Sequence, residues 1–147
     1  MLEVVVAAVE DLDKLVPLVR GYREFYGQKH DAFGERAFIM HRLRTGSSHI
    51  LLARDDGDAL GFAQLFPYFS TVRLEPALIL EDLFVEPEAR KRGIATALLE
   101  AVVAHARSIH AHVMFLETAI DNERAQRVYE RNGWTREAHF YKYNAPL

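Results

Sequence analysis

The sequence predicts an α/β fold, a mixed sheet flanked by helices. Two observations carry the prediction: a hairpin signal sits early in the chain, and strand and helix patterns alternate late in it. No internal repeat, low-complexity tract or Pro/Gly/Ser linker breaks the 147 residues, so residues 1–147 read as a single domain.

The elements follow in order. Valines over residues 3–9 read as a strand. Asp11 is a candidate N-cap for a helix over 12–26, with Leu12, Leu15, Val16, Val19 and Tyr22 at helical spacing. Pro17 inside that pattern should kink the helix or move its start. A second helix is expected over 34–45, with Ala37, Met40, His41 and Arg44 competing against Phe38 and Leu43 for the inner face. His49–Arg54 and Ala59–Phe66 read as strands joined by the turn Asp55-Asp56-Gly57-Asp58. Pro67 to Pro76 reads as a loop that shapes a site. Leu78 to Val85 reads as a strand, apolar except at Glu81 and Asp82. Ile94 to Ser108 carries the period of a long helix, and Val113 to Thr118 that of a strand. Asn122 to Asn132 reads as a helix ended by Gly133. Trp134 to Tyr143 reads as a final strand or strand pair.

Composition narrows the function classes. The formal charge of −3 argues against a basic nucleic-acid footprint. The absence of cysteine excludes a disulfide framework, a thiolate zinc site and a cysteine nucleophile on this chain. No apolar run is long enough for a spanning helix, and Glu3 with no basic flank argues for a first strand over a signal peptide. A cytoplasmic location, with no membrane partner, is the expectation.

The segment before the long helix carries the sharpest chemistry. A strand ends at Val85, a short loop follows, and Arg90-Lys91-Arg92-Gly93-Ile94-Ala95 leads straight into a helix. A helix start offers unpaired N–H groups and a positive dipole end, which suit a phosphate. Gly93 and Ala95 keep side-chain bulk away, and three cations add attraction. A basic surface loop capping a helix accounts for the same pattern. Neither the dinucleotide fingerprint nor the P-loop is present.

The stretch Leu80-Glu-Asp-Leu-Phe-Val-Glu-Pro-Glu-Ala-Arg-Lys-Arg-Gly-Ile-Ala-Thr-Ala-Leu-Leu99 resembles the acetyl-CoA-binding motif of the GNAT superfamily of N-acetyltransferases. Arg90, Gly93 and Ala95 match the fixed positions of its Q/R-x-x-G-x-G/A pattern. Asn122-Glu-Arg-Ala-Gln-Arg-Val-Tyr-Glu-Arg-Asn-Gly-Trp134 is similar to the second family motif. Leu80-Glu81-Asp82 also resembles the spermidine/spermine branch.

The resemblance implies a mostly antiparallel central sheet with helices on both faces. It implies acetyl-CoA as cosubstrate, no metal, and direct attack by a primary amine on the thioester. The backbone of Arg90, Lys91, Arg92, Gly93, Ile94, Ala95 and Thr96 would hold the diphosphate. The main chain of Leu83, Phe84 and Val85 would lie along the pantetheine arm, with a backbone N–H at Leu83 or Phe84 donating to the carbonyl oxygen. Asn122, Ala125 and Tyr129 share one helix face toward the same slot. Tyr129 takes the family place of the acid toward the thiolate. Glu81 takes that of the base, with Asp82 beside it on the opposite face by strand alternation. A non-catalytic acetyl-CoA-binding sensor or partner module is the alternative reading.

Tyr22, Tyr26 and Tyr68, with Glu81 and Asp82, are the candidate acceptor contacts. Aromatics and carboxylates suit a small cationic amine such as a polyamine or an amino acid. His105, His110 and His112 lack metal-ligand spacing, so no metal site is expected. Many family members pair through their last strands, which makes Trp134, Phe140, Tyr141 and Tyr143 candidates for a homodimer contact.

Overall fold

A computed structural model describes residues Met1–Leu147, which form two compact units, Met1–Glu117 and Thr118–Leu147. The first holds β1 (Leu2–Val6), α1 (Leu12–Phe25), α2 (Ala32–Thr45), β2 (His49–Asp55), β3 (Asp58–Ser70), β4 (Glu75–Val85), α3 (Ile94–Ser108) and β5 (Met114–Phe115). The second holds α4 (Glu123–Arg131). The five strands lie in sequence order; β1 to β4 pair antiparallel and β5 joins β4 in parallel. The mixed, mostly antiparallel sheet is the expected one. No helix is long and apolar enough to cross a membrane.

Strand alternation sorts the core into two layers. Ile50, Leu52, Phe62 and Phe84 face α1, where Leu12, Leu15, Val16, Leu18 and Val19 bury their side chains, with Ile39 of α2 behind them. Leu51, Ala53 and Ala63 belong to the opposite face, with His49. The His49 ring stacks on His105 of α3, centroids 3.6 Å apart, which puts α3 on that face. Burial and the neighbouring His105 push the His49 imidazole down to about 4. Helices therefore cover both faces.

Several elements differ from the sequence reading. Pro17 lies within α1, yet the helix begins at Leu12. Asp11 caps the turn before α1 by accepting from the Ala8 N–H at 2.9 Å, and makes no side-chain cap on the helix itself. In α2 the inner face is Ile39 with Met40 and Leu43, while Phe38 is exposed under the Arg42 guanidinium. Glu35 of α2 is also buried. It accepts from Arg23 at 2.7 Å and Arg20 at 3.2 Å, both on α1, and lies 3.1 Å from His30. Burial alone would raise its carboxyl, but the two guanidinium groups hold it down at about 2. This ion cluster joins the two helices.

The span expected as a loop from Pro67 to Pro76 is mostly sheet. β3 and β4 form one long hairpin, and only residues 71–74 turn between them. Proline is tolerated there because Pro67 lies on β3 past the last residue paired with β2, and Pro76 uses its carbonyl, which accepts from His112 N–H at 3.0 Å, where no N–H is needed. Residues 134–143, expected as a strand, form none; aromatic propensity makes no strand without a ladder partner. The expected strand over 113–118 shrinks to Met114–Phe115.

Candidate active site

The site is built on β4. Its pairing with β3 runs Phe66↔Ile79, Leu65↔Leu80, then Gln64↔Asp82, so Glu81 is the extra residue of a β-bulge. Simple alternation of Glu81 and Asp82 therefore does not hold across this point. Glu81 is exposed, and Asp82 is more buried.

On its other side β4 pairs with β5 only at Leu78 and Ile79. Beyond them, the backbone edge from Leu80 to Val85 has no strand partner. The direction of its N–H groups follows from one bond. Glu86 N–H donates to Leu60 O of β3 at 2.9 Å, so Phe84 N–H also points to β3 by alternation. Leu83 and Val85 N–H then point outward, into the opening. The Phe84 ring is buried against Tyr22, centroids 6.0 Å apart, and Phe62. Of the two expected backbone donors, Leu83 rather than Phe84 has the outward geometry.

The open edge ends at the basic turn. Val85 O accepts from Arg90 Nε at 3.1 Å, which ties the turn to the strand. Lys91 and Gly93 both adopt positive φ, +63° and +78°. A β-carbon at Gly93 would meet no atom within 4 Å, so that side of the turn is open space. Gly93 is the N-cap of α3 and no side chain caps the helix, so its first N–H groups have no side-chain acceptor. Arg92 reaches Asp55 at 3.0 Å. An unpaired strand edge running into an uncapped helix start with a left-handed glycine fits an extended amide arm followed by a diphosphate. That is the shape of a coenzyme A thioester.

Tyr22 of α1 stands over the bulge. Gly21 allows this, since a β-carbon there would come within 2.9 Å of the Phe84 ring. The single O–H of Tyr22 is shared between two acceptors, Glu81 O at 3.3 Å and the Asp82 carboxyl. Tyr26 packs edge-on to Tyr22 at 5.1 Å, and Phe25 on Tyr26 at 5.2 Å. The expected acceptor residues Tyr22, Tyr26, Glu81 and Asp82 are thus together. Tyr68 is on β3 and packs on Phe115 of β5, 6.0 Å between centroids.

Burial pushes the Asp82 carboxyl up to about 6, and the neighbouring Glu81 adds to the rise. A carboxylate near 6 accepts and releases protons around neutrality. The sequence reading missed its partner Gln64, which is buried and donates to Asp82. The available signal was a lone amide inside the apolar run from Leu60 to Phe66.

In the second unit, Asn122 Oδ1 caps α4 by accepting from Ala125 N–H at 3.2 Å. Tyr129 lies one turn further on and packs near Trp134, 6.2 Å between centroids. Gly133, at φ +88°, ends the helix.

The model of the Acetyltransferase (GNAT) family matches residues 15–134. An uncharacterized N-acetyltransferase of Bacillus subtilis, YhfO, is 39% identical over 137 residues, which span 93% of this chain and 92% of that protein. The crystal structure of a probable acetyltransferase superposes with a TM-score of 0.93 at 41% identity, covering 99% of this chain and 97% of that one. An aminoglycoside N-acetyltransferase solved in complex with CoA shares the fold, with a TM-score of 0.85 at 22% identity over 100% of this chain and 96% of its own.

Proposed function

The chain belongs to the GNAT family of acetyltransferases, and from that premise we propose that residues 1–147 act as one catalytic domain that acetylates a primary amine in a ternary complex with acetyl-CoA. The observation that carries this reading is the open β4 edge from Leu80 to Val85, running into the uncapped start of α3 at Gly93.

Bound acetyl-CoA supplies a thioester carbonyl that an amine nitrogen can attack directly. The chain's own residues divide the remaining work. Main-chain N–H groups from Arg90 to Thr96 hold the diphosphate, helped by the positive end of α3. The Leu83 N–H donates to the carbonyl oxygen, where charge develops. Asp82 removes the proton from the acceptor ammonium. We prefer it to Glu81 because its carboxyl sits near 6, whereas Glu81 is exposed at the bulge. The places of Tyr129, Asn122 and Ala125 in the second motif support their roles: Tyr129 gives its phenol proton to the departing sulfur and regains the second proton shed by the acylated nitrogen, and Asn122 and Ala125 serve the pantetheine arm. Tyr22 and Tyr26 present aromatic faces to a small cationic amine such as a polyamine or an amino acid, with Tyr68 further along β3.

A panel of primary amines with acetyl-CoA, read as free thiol, tests the proposal. At least one amine should release thiol above the hydrolysis background. Tyr129→Phe should lower turnover with that amine by roughly 10²–10⁴-fold while CoA affinity stays near wild type. Background rates across the whole panel would defeat the transferase reading, and a wild-type rate in the phenylalanine variant would remove the acid role.

A further inference from the structure

Gln64 and Glu35 are the two buried polar side chains of the protein. The Glu35 cluster joins helices, whereas Gln64 lies in the sheet beside the proposed base. Gln64 stands directly opposite Asp82 in the β3–β4 register, at the bulge itself. Both ends of its amide are used. Ser48, just before β2, donates from Oγ to Gln64 Oε1 at 2.7 Å, and Gln64 Nε2 donates to Asp82 Oδ2.

The carboxylate sets the orientation of the amide, and Ser48 tethers its other end. An ionised carboxylate only accepts, so Asp82 must meet the NH₂ end of the amide. The oxygen end then falls on Ser48, whose hydroxyl can donate. A flipped amide would set two acceptors against each other at the ionised Asp82, a costly arrangement inside the sheet, whereas the Ser48 hydroxyl, which can accept as well as donate, would meet either end.

We propose that Gln64 is the positioning residue for the proton-accepting carboxylate: tethered through Oε1 by Ser48, it donates Nε2–H to Asp82, and so holds that side chain in one rotamer and favours its ionised form. The inference rests on the reading that Asp82 takes the acceptor's proton. In that step an ammonium N–H bond breaks, its electron pair stays on nitrogen, and the proton joins an Asp82 oxygen. The titratable groups facing Asp82 are Tyr22 from α1 and Glu81 on its own strand; Gln64 and Ser48 approach from the β3 side and are neutral. Protonation weakens the bond from Gln64, since a charge-assisted hydrogen bond becomes a neutral one. The amide therefore offsets part of the upward push of burial on Asp82.

The test is a ¹³C-carboxyl NMR titration of Asp82 in the full chain, which needs neither acceptor nor turnover. The wild-type midpoint should lie at about 6. Gln64→Leu, which keeps an apolar neighbourhood, should raise it by about one pH unit, a tenfold change in proton affinity. Ser48→Ala frees the amide and should raise it by less, and Ser48→Thr should restore it. Ser48→Ala carries the test alone if Gln64→Leu fails to fold. A midpoint unmoved in folded Gln64→Leu, or in Ser48→Ala where it stands alone, overturns the proposal even if thiol release proceeds normally. Shifted midpoints in a protein that acetylates no amine would instead sink the transferase reading and leave the hold of Gln64 on Asp82 standing.

Discussion

Replacing Gly93 by aspartate and by asparagine separates backbone from charge at the proposed diphosphate site. At φ +78° the Gly93 backbone is left-handed, and a β-carbon there would meet nothing within 4 Å. No protein atom need move, so each substitution costs only conformational strain, about 1–2 kcal/mol. Asparagine and aspartate tolerate this region better than other side chains and share one shape, so their strain should match. What differs between them is one negative charge beside the start of α3. At ~6 Å from a phosphate charge and an effective dielectric of ~20, repulsion is about 3 kcal/mol before salt screening. A Debye length of ~8 Å at physiological salt reduces that to about 1–2 kcal/mol, or roughly 5–30-fold in affinity. Titration calorimetry with CoA should therefore find the aspartate variant weaker than the asparagine variant by that factor, with the gap narrowing as salt rises. Equal affinities for Gly93→Asp and Gly93→Asn would place the diphosphate away from this turn. So would a gap insensitive to salt.

Two further perturbations address the scaffold. Glu35→Ala leaves Arg20 and Arg23 around an emptied carboxylate position; because both guanidinium groups are partly exposed, the cost should be about 2–3 kcal/mol. Thermal unfolding should fall by about 4–12 °C, and an unchanged midpoint would show that the cluster does not join α1 to α2. The stacked pair His49–His105 sets a pH dependence. The folded state holds His49 near 4 against an ordinary 6.5, so the unfolded chain binds the extra proton first. Stability should be full above 6.5 and fall as pH drops toward 4. Urea midpoints at pH 7 and pH 5 should diverge less in His49→Phe than in wild type; an equal divergence would place the acid sensitivity elsewhere.

The parts of this fold that sequence exposes most clearly are those set by local periodicity. α3 runs from Ile94 to Ser108, as its apolar spacing indicates, because Ile94, Leu98 and Val102 fall on one buried stripe and Gly93 marks the start. Asn122 and Gly133 bracket α4 for the same local reasons. The features that shape the site are non-local. One extra residue at Glu81 leaves no trace in a period-two pattern, yet it decides that Asp82, not Glu81, stands opposite Gln64. Gln64 itself looks like a flaw in an apolar strand until the register brings Asp82 to it. Pro67 and Pro76 signal a break, but each is paired in the ladder, opposite Leu78 and Phe69. The aromatic segment after Trp134 has the composition of a strand, and composition supplies no partner.

The unclaimed main-chain edge of β4 carries a liability of its own. Bare peptide groups in a row invite any passing extended polypeptide to add itself to the sheet. Here the invitation is selective. The bulge at Glu81 throws a regular strand out of step, and its carboxylate adds a charge at the rim. A slim ligand with only a couple of amides escapes both obstacles, because it needs just one or two matching groups and has no side chains to seat. The irregularity at Glu81 thus guards the protein against sticking to its neighbours.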